Sequence, residues 1–348
     1  MILGENTVIQ SLMIHRVGNK GLEEGTHFSQ NPVPLNDELQ AILRGYFLSS
    51  FKSPEYCQFY GDEELTDNDM YNFVDAIFED PSSLPEQSIN IARHLYENSV
   101  HPKIKHGEVY VVLFENCCVE SEEVTAIGVF KSENRETFLK VFPDGDTFSV
   151  EQHEGIDIHK LDKGCVIFCR ERERGYQIAN LDNLSKGSDG VYWKDSFLKV
   201  RQREDAFFKT EQVMKIYKEF VTEQLPQEYE TSTANQADML NRSMKFFKEQ
   251  EAFTFEDFEK EVIVQPEVIQ SFNNFKEEYQ KENIVEIPDE FNISEDAVKK
   301  TARTMKSVIK LDKNFHIYIH GSQDYINKGY DEKTGMHFYQ LFFRDEII

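Results

Sequence analysis

The sequence predicts an α+β protein: a mixed, largely antiparallel sheet with helices, followed by a mainly helical part that ends in a β-hairpin. Three observations lead there. Strand-like runs crowd the first two hundred residues and are joined by turns such as SENRE and PDGD, too short for parallel crossovers. After about residue 205 the apolar period changes from that of strands to that of helices. The chain then returns to alternation in Phe315–His320 and His337–Phe343, read here as one hairpin. Two domains follow from this change of period, 1–205 and 206–348.

Taken in order, Thr7–Val17 alternates as a strand. Asp37–Leu48 and Asp67–Phe78 have helical spacing, and Asp80-Pro81 closes the second. Pro85–Asn98 sets Ile89, Ala92, Leu95 and Tyr96 on one face, with proline in the first turn, where its missing N–H costs nothing. Strands are expected at Glu108–Glu115, Thr125–Lys131, Thr137–Phe142, Cys165–Arg170 and Tyr176–Leu181. Helices are expected at Lys209–Gln224, Thr233–Glu249, Thr254–Val264, Pro266–Lys281 and Ser294–Ser307. The last starts well, because the Ser294 hydroxyl can cap free amides and Glu295 and Asp296 suit the positive end of the helix.

Composition narrows the function classes. The chain has 38 Lys+Arg against 63 Asp+Glu, a net charge of −25, with 28 Phe and 15 Tyr to build cores. Such acidity is the wrong sign for a protein that coats a polyanion over its whole surface, so any such contact must be local. The charge is segregated: residues 219–296 sum to −14, residues 160–218 to +4 and residues 297–348 to +3. No signal peptide and no membrane-spanning run are read, and five cysteines suit reduced thiols.

No phosphate-binding loop, dinucleotide fingerprint, nucleophile elbow or zinc-protease motif occurs. No cofactor or metal is expected, and no catalytic residue. Cys165 and Cys169 in CVIFC are spaced for one face of a strand rather than for a zinc knuckle. His316 and His320 share a strand face, with His337 placed across the expected hairpin. A half-solvated polar face explains them, and a face gripping phosphates is the alternative.

Positive charge gathers in three places. Lys299, Arg303, Lys306 and Lys310 follow the spacing of one helical face, with Lys300 and Lys313 beside them. This stripe is the best docking line for a polyanion, although a solvated face accounts for the same pattern. Lys194, Lys199, Arg201 and Arg203 form a second candidate surface near the flat ring of Trp193, or else a charged edge strand. His101, Lys103, Lys105 and His106 form a third cluster, in a loop.

Five stretches then resemble a known family: QSINIARHLYENSVHPKIKHGEVYVVLF, AIGVFKSENRETFLKV, YWKDSFLKVRQRED, NQADMLNRSMKFFKE and VIKLDKNFHIYIHG. In this order they are similar to bacterial nucleoid-associated proteins of the NdpA/YejK type. The resemblance implies a cytoplasmic protein of the nucleoid that binds double-stranded DNA and, in some members, contacts type II topoisomerases. The expectation is therefore a non-enzymatic DNA-binding protein with little sequence preference. The rival is an acidic, DNA-mimicking adaptor for a basic partner such as a type II topoisomerase. A homodimer through the long helices between Lys209 and Lys281 is compatible with either.

Overall fold

Apolar strands of the first half pair into one eight-stranded sheet in the computed structural model, which describes residues 6–53, 55–184, 192–305, 308–311, 313, 315–318 and 325–345. The chain divides into two units, Met1–Arg203 and Glu204–Ile348. In the first unit β1 (Val8–Val17) and β2 (His27–Phe28) precede α1 (Asp37–Leu48), β3 (Cys57–Phe59), α2 (Asp69–Glu79) and α3 (Leu84–Asn98). Then come β4 (Gly107–Val119), β5 (Glu122–Ser132), β6 (Glu136–Asp144), β7 (Thr147–Gly155), β8 (Lys163–Phe168), β9 (Gln177–Asp182) and β10 (Val200–Gln202).

The sheet order is β10-β3-β9-β8-β5-β4-β1-β2, and every pairing is antiparallel. Both faces are covered, which is why β4 and β8 read as continuous apolar runs rather than as alternation. On one face Met13, Val111, Val129 and Ile167 pack with Val74, Ile91 and Leu95 of α2 and α3 and with Trp193 and Phe197. On the other, Leu12, Val112, Phe130 and Val166 pack with Tyr46, Phe47 and Leu48 of α1. Phe130 stacks on Phe47 at 4.5 Å and lies across Gly128, where an added Cβ would meet its ring at 2.4 Å. A larger residue there would displace the stack.

Strand β7 was not expected from the sequence. It pairs with β6 from Glu136↔Gly155 to Asp144↔Thr147, making a separate two-stranded ribbon whose residues join none of the hydrophobic cores.

In the second unit α4 (Ala206–Glu219) is capped by Asp205, whose side chain accepts from Phe208 N. It is followed by α5 (Leu225–Glu228), α6 (Thr233–Glu249), β11 (Ala252–Thr254), α7 (Phe255–Phe258), α8 (Pro266–Asn283), β12 (Glu290–Asn292) and α9 (Glu295–Thr301). Aromatic side chains between residues 209 and 281 fill the unit's own core: Tyr217, Phe220, Phe247, Phe258 and Phe272 are buried together.

The end of the chain departs from the sequence reading in its pairing. Among the described residues it forms two hairpins, β13 (Val308–Leu311) with β14 (Phe315–Tyr318) and β15 (Ile326–Asp331) with β16 (Met336–Leu341). Phe315–Tyr318 therefore does not pair with the His337 strand. Leu311, Ile317, Ile326 and Tyr339 pack against Ala234 and Ala237 of α6, so each hairpin gains an apolar support for one face.

Candidate nucleic-acid interface

The stripe predicted along one helix is broken. Helix α9 begins as expected, with the Ser294 hydroxyl accepting from Ala297 N at 3.4 Å, but its last helical residue is Thr301. A turn follows, in which Met305 N donates to Thr301 O and the Met305 side chain enters the helical core. Four residues of β13 then pair with β14. A continued helix would lose this burial and pairing, and the β-branched Thr301, Thr304, Val308 and Ile309 add little helical preference to oppose them.

Lys299, Lys300 and Arg303 consequently stand near the end of α9, whereas Lys310 sits on β13 opposite His316 and Lys313 is exposed in the β13–β14 turn. Lys306 and His320 lie outside the described residues. Ala297, Val298 and Thr301 are buried and hold the short helix in place. Lys299 is exposed and pairs with Glu295 at 3.1 Å and Asp296 at 3.9 Å; its hydrogen bond to Glu295 raises its pKa and keeps it charged. Lys300 binds Glu211 at 2.8 Å and extends over the Phe207 ring at 5.2 Å. Arg303 is exposed and has no ion pair among the described residues.

The second cluster is dispersed. Arg203 is 3 % exposed, and its guanidinium donates to Glu171 and to Tyr176 O, so it is not on an accessible face. Trp193 is fully buried, with its indole N–H donating to Asn180 Oδ1 at 3.1 Å, and presents no flat surface ring. Sequence alternation placed Arg203 with Arg201, but β10 ends at Gln202 and the chain turns inward there. Arg201 remains exposed on the edge strand; Lys199 is half-exposed beside Asp62 at 3.8 Å, and Lys194 is half-buried in the π-helical turn Tyr192–Leu198.

The third cluster is held as a shaped loop between α3 and β4. The Asn19 amide donates to His101 O and Ile104 O, fixing the backbone, and Ile104 is buried. His101, Lys103, Lys105 and His106 point outward, with Lys105 donating to Asn134.

Two further cations were invisible in the sequence because lysine is ordinarily read as exposed. Lys131 and Lys163 are fully buried and face each other across β5 and β8. Lys131 binds Glu133 at 2.9 Å and Lys105 O at 2.8 Å; Lys163 binds both oxygens of Asp182 at 2.7 Å. Burial lowers the Lys131 pKa, with Glu133 opposing that shift. This network is structural in its chemistry: every charge is matched within it.

His337 lies against Tyr330, on a different hairpin from His316. Among the described residues no group of three or more His, Cys, Asp or Glu is placed to hold a metal, and no helix is long and apolar enough to cross a membrane.

Between residues 219 and 296 the few cations are largely spent on neighbours within helices. Arg242 pairs with Asp238 at 3.1 Å, Lys260 with Glu256 at 2.5 Å, and Lys281 with Glu277 at 4.0 Å. The excess carboxylates of this segment are left as an acidic surface.

No curated protein matches this chain. A family model described as nucleoid-associated protein YejK matches residues 13–336, which takes in both units and all three basic clusters. The chain belongs to the nucleoid-associated protein YejK family.

Proposed function

We propose that this nucleoid-associated protein acts without catalysis and binds double-stranded DNA with little sequence preference, through Lys299, Lys300 and Arg303 at the end of α9. Arg303 carries the reading: it is an exposed guanidinium with no ion pair among the described residues, in a chain where acids outnumber bases 63 to 38. Lys299 keeps its charge beside it, and a phosphate oxygen competes for Lys299 with the exposed Glu295 and for Lys300 with the half-buried Glu211. Contacts of this kind fix a duplex in place and read no bases.

Three phosphate contacts give a log–log salt slope of about −2.7 for duplex binding. Changing Lys299→Glu and Arg303→Glu together is expected to flatten it by about 1.8 while circular dichroism stays native. An unchanged slope in the folded double variant overturns the assignment.

A specific observation also favours a second reading, an adaptor for a basic protein such as a type II topoisomerase. Of the sequence-predicted phosphate contacts, Arg203 is buried and Lys299 and Lys300 are already engaged by acids, whereas the carboxylates of residues 219–296 are in excess. An adaptor retains no duplex on a filter at low salt yet captures the basic partner; a DNA-binding protein does the reverse.

A further inference from the structure

A groove of about 860 Å³ lies between the end of α6 and α9 in the second unit. Its floor is apolar: Phe247 and Val298 belong to the core of the unit, and Ile293 and Ala302 are half-buried against it. The charged side chains that line it are all exposed on its rim, among them Glu249, Glu251 and Glu295. On the α9 wall Glu295, Val298, Lys299 and Ala302 follow the i, i+3, i+4, i+7 spacing of one helical face, so floor and rim come from the same turn after turn of chain. Ile293 N donates to Glu251 O and ties the two walls together.

We propose that this groove seats a short basic amphipathic segment of a partner protein, its apolar row on the floor and its Lys or Arg side chains at the rim. A small molecule is oriented by fixed polar groups inside its pocket. Here the floor is apolar and the charges stand outside it, the division that suits an amphipathic helix laid in a groove. The site deepens the adaptor reading, on which it rests, by giving a basic partner a defined seat. It stands whether or not α9 holds a duplex.

Charge complementarity fixes the sign of the occupant. Lys299 is shared by Glu295 and Asp296 at 3.1 and 3.9 Å, and the Lys245 ammonium stands 4.0 Å from Glu249. With these neighbours included, Glu249, Glu251, Glu295 and Asp296 outnumber Lys245, Lys248 and Lys299. Helix α6 adds to the excess, because it ends at Glu249 and its last carbonyls carry the negative end of the helix dipole. Glutamates at that end are unfavourable by themselves and become favourable with a cation beside them. Glu251 has no ion pair among the described residues and is the carboxylate best placed to receive one. An acidic or uncharged segment would leave this excess unanswered.

Fluorescence anisotropy of a labelled peptide titrated with the full-length chain tests this. The probe has about 14 residues, with leucines at helical spacing on one face and lysines flanking them. Salt at about 0.15 M screens long-range attraction to an acidic protein. The same peptide with glutamate for lysine, or with serine for leucine, is expected to bind at least about 10-fold more weakly. Ala302→Arg fills the groove and adds like charge, and it should weaken the probe at least about 10-fold. Glu249→Lys with Glu251→Lys should do the same while changing exposed side chains only, and it carries the test alone if Ala302→Arg loses its native circular dichroism. A leucine–lysine peptide that binds no tighter than its serine counterpart, or not at all, overturns the proposal. So does binding that the folded groove variants leave unchanged. If Glu277→Gln, Glu278→Gln and Glu282→Gln together on α8 abolish binding while the groove variants do not, capture by the acidic surface stands and the groove falls.

Discussion

His15 shows how one buried side chain sets a pH limit. Its ring is buried in β1, with Nε2 at 3.0 Å from the Ser88 hydroxyl and Nδ1 accepting from Ser29 N at 3.2 Å. The Ser88 hydroxyl in turn donates to Pro85 O. Burial, reinforced by His27, pushes the imidazole down to about 4. As pH falls below the ordinary value of about 6.5, the unfolded chain takes up this proton first and the folded chain does not. Stability is therefore full above that value and is lost on the way down to pH 4. The loss attributable to this group is about 2–3 kcal/mol at pH 4. Urea unfolding of the native chain and of His15→Gln at pH 7 and pH 4 checks it: the difference between them should shrink by that amount in acid. Arg203 teaches the same lesson for charge. The strand alternation of FLKVRQR put it on a surface, yet one residue past the strand its guanidinium turns inward to Glu171.

At the level of elements, pairing decides what each side chain faces. The antiparallel register of β5 and β8 sets Lys131 directly opposite Lys163, an arrangement that repels unless each lysine has its own carboxylate. Glu133 and Asp182 provide these, and the Tyr192 ring lies 5.9 and 5.3 Å from the two ammonium groups. Removing one member leaves the other charge uncompensated, so Lys163→Met is expected to cost about 3 kcal/mol. Lys163→Met combined with Asp182→Leu should recover most of it; a chemical-denaturation cycle over the four proteins reads the coupling. The elements were unequally legible in the sequence. Helices α1, α2, α3, α6 and α8 stand close to where their apolar spacing put them, because a helix is written in contacts three and four residues apart. Strand β7 escaped because TFSVEQHEG mixes apolar and charged residues on a ribbon exposed on both faces. Its signal was the PDGD turn, which announces a hairpin with a returning strand. The expected helix Ser294–Ser307 ran too far because nothing local records that Met305 is needed in the core of the second unit.

Across the whole molecule, segregated charge is the feature most relevant to a protein of the nucleoid. Residues 219–296 carry −14, and their cations are mostly tied into intrahelical pairs. If the basic end of α9 binds DNA, this acidity confines the duplex by repelling it elsewhere. Neutralising Glu277, Glu278 and Glu282 to Gln should then increase DNA retention at low salt; loss of capture of a basic partner instead marks those acids as the binding surface. By itself the sequence determined the α+β class, the order of most elements, the separation of charge along the chain and the resemblance to its family. These depend on composition, on periods a few residues long and on stretches recognisable in order. Only the tertiary structure decided where α9 stops, which strands form the terminal hairpins, and that Arg203, Trp193, Lys131 and Lys163 lie inside. Those outcomes are set by partners distant in the chain, whose burial and hydrogen bonds outweigh the tenths of a kcal/mol that separate local preferences.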